Sequence, residues 1–194
     1  MPVIKTDLSG VIIVEPQVFG DVRGWFMETW SKAKFEAAGL HYDFVQDNQS
    51  FSAHKGTLRG LHYQLNPMAQ AKLVRCTRGK ILDVAVDIRQ NSPQFAKWVA
   101  VELSADNKRQ LMIPRGFAHG FITLTDDVEI QYKVDNLYAP HFEGNIRWDD
   151  PQIGIDWQIQ PTILADKDAK APTLKERLER GELNFVFERG SDWD

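Results

Sequence analysis

The sequence predicts an all-β-dominated fold: an antiparallel β-barrel with a β-rich N-terminal arm and short helices near the N- and C-termini. Three observations carry that prediction. Short runs in which apolar and polar residues alternate recur through the middle of the chain, the period of half-buried strands. They follow one another closely, with turn residues between them, as in closed or double-sheet antiparallel architectures. Helical signals are confined to one stretch near each end.

Taken in order, "GVIIVEPQVF" reads as an early strand. "SKAKFEAAGL" reads as a short helix, with Ser31 as N-cap and Gly39 as its stop. The strands "YDFVQDNQSFS" and "TLRGLHYQ" follow. "AKLVRCT" and "KILDVAVDI" flank Arg78 and Gly79, a hairpin signal. "FAKWVAVELS", "RQLMIP", "AHGFITLTD", "VEIQYKV" and "NIRWDD" complete the series. In the tail, "APTLKERLERG" offers Thr173 as N-cap, Glu176 as its capping-box partner and Gly181 as a stop. No repeat, linker or low-complexity run divides the chain, so residues 1–194 are expected to form a single unit.

Composition narrows the function classes. Hydrophobic residues make up 43% and charged residues 26%, enough for an ordinary packed core. The net charge of -4 argues against non-specific nucleic-acid binding, which needs a basic footprint. It leaves room for an anionic small molecule held by local arginines. Cys76 is the only cysteine, so neither an intrachain disulfide nor a cysteine-based metal site is expected. The N-terminal residues lack the basic start and apolar run of a signal peptide, and no stretch of about 18 apolar residues occurs. A soluble, cytoplasmic protein without membrane contact is the expectation.

Arg59 and His62 lie three residues apart in one strand, so regular alternation would send them to opposite faces. A bulge at Gly60 would add a residue and turn both to one cavity. An imidazole there can take a proton and return it. A lone strand histidine also has a purely structural reading. Lys72 shares a face with Val74 and Cys76; it is either a strand-edge lysine in water or an inward-facing group that needs a partner. Asp83 in "KILDVAVDI" is either a solvated edge charge or a group that orients a histidine inside the barrel. Tyr132 lies on a face with Ile130 and Val134, as a core tyrosine or as a proton donor across a cavity.

In "IPRGFAHGF", the spacing Pro114-x-Gly116-x-x-His119 resembles the second motif of cupin barrels. The corresponding first motif would need two histidines and a glutamate, whereas "GLHYQ" has His62, Tyr63 and Gln64. A metal site wants several converging donors, so no metal is expected.

The ordered blocks "FGDVRGWFMETW", "FVQDNQS", "LRGLHYQ", "AKLVRC", "DVAVDIR", "RQLMIPRGFAHGF", "YKVDNLYAP" and "LADKDAKAP" resemble the dTDP-4-dehydrorhamnose 3,5-epimerase family over nearly the whole chain. The resemblance implies a cupin jelly roll, usually a homodimer, that inverts C3 and C5 of dTDP-4-dehydro-6-deoxy-D-glucose without a cofactor. It places the base on His62, the acid on Tyr132 and the aspartate that pairs with the base on Asp168. Lys72 is the natural group to stabilise an enolate. Substrate-binding positions fall on Arg23, Glu28, Gln46, Asp47, Asn48, Arg59, Lys72, His119, Glu143 and Lys167, with Tyr138 stacking on thymine. Arg23 and Glu28 are implied to reach the neighbouring subunit's site. Sister activities remain open: epimerisation at C3 or C5 alone, ketoisomerisation, or sugar-nucleotide binding without catalysis.

Overall fold

The computed structural model describes residues 2–187; Met1 and residues 188–194 of the expected single unit lie outside the described residues. In chain order the strands are β1 (Val3–Lys5), β2 (Ile12–Val14), β3 (Val18–Asp21), β4 (Gly24–Met27), β5 (Gln46–Ser52), β6 (Leu58–Gln64), β7 (Lys72–Arg78), β8 (Lys80–Asp87), β9 (Trp98–Ser104), β10 (Gln110–Ile113), β11 (Phe117–Thr123), β12 (Val128–Val134) and β13 (Glu143–Asn145). Three short α-helices, α1 (Lys32–Ala37), α2 (Asp166–Ala169) and α3 (Leu174–Glu179), and a 3-10 turn (Pro140–Phe142) accompany them among the described residues.

Two antiparallel sheets face each other. One runs β1-β2-β10-β7-β12-β5 and the other β13-β6-β11-β8-β9. Their facing sides form a shared core. Val74, Cys76, Leu111, Ile113, Val128 and Ile130 from the first meet Ile81, Ala85, Val101, Leu103, Phe117 and Phe121 from the second. This is the double-sheet form of the expected jelly roll rather than a barrel closed by continuous hydrogen bonding.

Each sheet also has a second apolar face. The N-terminal segment covers the first sheet, packing Phe35, Leu40 and Tyr42 onto Ile12, Val14, Leu73 and Met112. The C-terminal segment covers the second, setting Ile153, Trp157, Leu174, Leu183 and Phe185 against Leu82, Val84, Val86, Ala118 and Ile122. Burying each such side chain contributes about 1.5–3 kcal/mol of transfer free energy. The segments on either side of the two sheets are thereby tied to them.

Local signals explain most elements. Thr173 and Glu176 form a reciprocal capping box at α3, and Gly181 follows it at positive φ. Gly39 likewise follows α1, where Ser31 stands at the N-cap without a side-chain cap bond. Two expectations are corrected. Arg78 and Gly79 do not make a hairpin: β7 and β8 belong to different sheets, and Gly79 (φ 74°) turns the corner between them. The strand expected over "NIRWDD" lies earlier and ends at Asn145. "GVIIVEPQVF" divides into β2 and β3, and β3 pairs with β4 as an isolated, exposed hairpin.

Candidate active site

The site begins with a break in strand alternation. β11 pairs with β6 so that His119 faces His62 and Phe121 faces Arg59. Two steps on β11 therefore match three on β6, and the extra residue is at Gly60. Arg59 and His62 consequently line one cavity, as the bulge reading requires. Gly60 has φ 136°, and a Cβ there would lie 2.5 Å from the Cα of Gly120. Only glycine meets both demands.

The cavity, about 440 Å³, lies between the sheets and opens beside the loop that leads into α2. Arg59, His62, Lys72, His119, Tyr132, Lys167 and Asp168 all line it. Asp168 is 1% exposed, a buried carboxylate. Its Oδ1 lies 2.6 Å from His62 Nε2, and its Oδ2 accepts the Gly60 N–H at 3.3 Å. With Nε2–H donated to Asp168, the Nδ1 of His62 is left as the proton acceptor. Burial alone would raise the Asp168 pKa. The hydrogen bond and charge of His62, the Gly60 N–H and Lys167 outweigh it and hold the carboxyl below its usual range.

His119 forms a second pair. Its Nε2 lies 2.7 Å from Asp83 Oδ1. Asp83 is fully buried, which selects the histidine-orienting reading over the edge charge. Burial lowers the His119 pKa against the pull of Asp83, with Lys72 and His62 adding to the fall, so the ring is neutral at neutral pH. Burial also pushes Lys72 down to about 8, opposed by Asp83 and Glu143, and this still leaves it mostly cationic at pH 7. Tyr132 is raised by burial, against Arg59 and Lys167, and keeps its proton.

At the mouth, Lys167 Nζ pairs with Glu143 Oε1 at 2.8 Å, and the Tyr138 hydroxyl donates to Glu143 Oε2 at 3.2 Å. Tyr138 is exposed, and its N–H donates to Gln46 Oε1. Gln46 Nε2 donates to Asn48 Oδ1, and Asn48 is the cross-strand partner of Tyr132. Arg59 is steadied by Ser52 Oγ and the Phe51 carbonyl.

Of the expected residues, Gln46, Asn48, Tyr138 and Glu143 adjoin the lining residues without lining the cavity themselves, and three more stand apart from it. Asp47 alternates outward from Gln46 and Asn48 and pairs with Lys133 at 2.8 Å. Arg23 sits on the exposed β3–β4 hairpin, paired with Asp21, and Glu28 pairs with Lys34 at 2.8 Å. Conversely, Phe121 and Ser50 line the cavity without having been singled out. Period 2 from His119 and Asn48 was the available signal.

The fold is a jelly-roll sandwich of two facing sheets, and its cavity brings together two histidine–aspartate pairs, a lysine and a tyrosine. A sequence model of the dTDP-4-dehydrorhamnose 3,5-epimerase family matches residues 5–176. The dTDP-4-dehydrorhamnose 3,5-epimerase of Shigella flexneri is 57% identical over 169 residues, which cover 87% of this chain and 93% of the relative. The solved structure of a dTDP-6-deoxy-D-glucose-3,5-epimerase from Legionella pneumophila, in complex with dTDP-4-keto-L-rhamnose, superimposes with a TM-score of 0.91 at 44% identity. That match covers 96% of this chain and 98% of the other. A 3'-monoepimerase from Streptomyces bikiniensis, in complex with dTDP-quinovose, matches at 36% identity and a TM-score of 0.87, over 93% and 91% of the two chains. The chain belongs to the dTDP-4-dehydrorhamnose 3,5-epimerase family.

Proposed function

We propose that this protein inverts C3 and C5 of dTDP-4-dehydro-6-deoxy-D-glucose to give dTDP-4-dehydro-L-rhamnose. The observation that carries the reading is the His62–Asp168 pair facing the same cavity as Tyr132. Both carbons are α to the C4 ketone, so loss of either proton gives an enolate. His62 Nδ1 takes the proton, and Asp168 stabilises the imidazolium that forms. The electron pair moves onto O4, where Lys72 offsets its charge. Tyr132 then gives its proton to the opposite face of the carbon. His62 releases its proton, the phenolate regains one from solvent, and the sequence repeats at the second carbon.

The remaining residues bind. Arg59 suits the pyrophosphate, because a guanidinium presents a planar fork to phosphate oxygens. Tyr138 stacks on thymine, with Gln46 and Asn48 beside it. His119, Glu143 and Lys167 hold the sugar and phosphates. The chain works as a homodimer. Phe19, Val22, Trp25 and Phe26 expose the β3–β4 hairpin to solvent, a patch that needs a cover. A second copy supplies it, and Arg23 and Glu28 then enter the neighbour's cavity. Asp47 acts from the outer face of β5.

NMR of the dTDP-4-keto-6-deoxyglucose substrate in D2O tests the reading. Deuterium at C3 and C5 with double inversion is expected. Deuterium and inversion at one carbon would make this a monoepimerase. Nucleotide binding with no exchange would remove catalysis from the site.

A further inference from the structure

Two buried aspartates on one face of β8 are treated differently. Asp87 is fully buried, and its carboxylate accepts from the Arg89 N–H and guanidinium at 2.8–3.0 Å and from the Ser92 hydroxyl at 2.6 Å. Asp83 is just as buried, yet among the described residues its carboxylate makes one hydrogen bond, to His119, and Oδ2 makes none. A buried carboxylate with an unsatisfied oxygen is costly, so its retention calls for a compensating charge or task.

The register supplies one. His119 sits directly opposite Ala85 and diagonal to Asp83 on the inner face of the second sheet. The small Ala85 leaves room for the imidazole to lean onto Asp83. Lys72 projects inward from the opposing sheet, and Asp83 is the stronger of the two carboxylates that favour its protonated form, ahead of Glu143. Around this carboxylate stand Lys72 and Cys76 from β7 and His119 from β11; Lys72 also faces Glu143 from β13, and His119 faces His62 from β6.

We propose that Asp83 is a positioning residue: its Oδ1 fixes His119 in the Nε2–H tautomer, and its buried charge keeps Lys72 cationic for the enolate. This rests on the proposed epimerase reading for its consequence, and not for its test. His119 Nδ1 then faces the cavity as an acceptor for a sugar hydroxyl. Lys72 acts as a fixed positive charge rather than as a neutral amine.

The experiment is Asp83→Asn, read in two ways. Lys72 is followed without substrate by 13C NMR of reductively methylated protein, assigned with Lys72→Arg. Removing an anion disfavours the protonated amine, so Lys72 is expected to titrate about one pH unit or more lower, the scale of one lost opposite charge. The basic limb of the kcat/KM profile is expected to move to lower pH with it. An unchanged Lys72 titration overturns the proposal, even if turnover falls. If the variant does not fold, 15N NMR of the wild-type histidines decides. A neutral His119 protonated at Nε2 supports the proposal, and an Nδ1–H or cationic ring overturns it. Absence of substrate exchange in wild type would sink the epimerase reading while leaving both titrations interpretable.

Discussion

The two histidine–aspartate pairs stand side by side, with His62 and His119 facing each other across β6 and β11, and they are built in opposite ways. His62 is partly open to the cavity and takes its carboxylate from α2, 106 residues away in sequence. His119 is 9% exposed and takes its carboxylate from the adjoining strand. The first pair suits a group that must gain and lose a proton against substrate. The second suits a group held in one state. Identical residue types thus acquire different chemistry from burial and from the rigidity of the partner's element.

Substituting each histidine in turn is the direct way to break the comparison. His62→Asn is expected to lower kcat by about 10²–10⁴, the usual worth of a general base, with dTDP affinity by calorimetry nearly unchanged. His119→Asn is expected to raise KM more than it lowers kcat. Equal losses of kcat would make the two pairs equivalent and end the distinction. Asp168→Asn comes next: about 10²-fold or more in kcat, because the amide no longer favours the tautomer that leaves Nδ1 free. Tyr132→Phe sharpens the division from the other face. Exchange of substrate protons for solvent deuterium is expected to survive better than inversion, and full wild-type yield of inverted product would remove Tyr132 as the acid.

Smaller effects follow at the rim and in stability. Arg23→Ala and His62→Asn chains, each impaired alone, are expected to regain activity when mixed and re-associated, because one site in the mixed dimer has an intact His62 and a neighbour's Arg23. No recovery above the separate variants would place Arg23 in its own chain's site or in none. Asp168 has its pKa held down in the fold. Its contribution to stability is therefore full above the unfolded carboxyl value and is lost as pH falls through the folded one, below about pH 4. Wild type is expected to lose melting temperature more steeply than Asp168→Asn across that acid range. Parallel curves would remove the linkage.

Much of the second sheet was legible. A glycine between Arg59 and His62 announced the bulge, because only an extra residue brings i and i+3 of a strand to one side. The capping box of α3 was readable from Thr173 and Glu176 alone. The Arg78–Gly79 corner was not, since a glycine turn between two apolar runs suits a hairpin and a crossing equally. The deciding clue was subtler: β8 is buried along both faces, and such a strand belongs to a sheet covered on each side. Asp168 lay beyond local pattern altogether. It sits on a four-residue helix with no side-chain cap, and only the ordered resemblance pointed to it. Asp47 shows the converse limit, because matching a motif residue by residue does not say which way a side chain alternates.

The C-terminal segment that covers the second sheet is also the segment that delivers Asp168 to His62. The contact closes a loop of more than one hundred residues, and such long-range contacts are costly to form and late to be rewarded. On the proposed reading, catalytic competence therefore needs the C-terminal cover as well as the sandwich. A molecule whose two sheets are intact but whose C-terminal cover has lifted away would lose one wall of the cavity together with the carboxylate that pairs with His62. Under gentle heat or denaturant, turnover would fail first, and the β-sheet signal would follow.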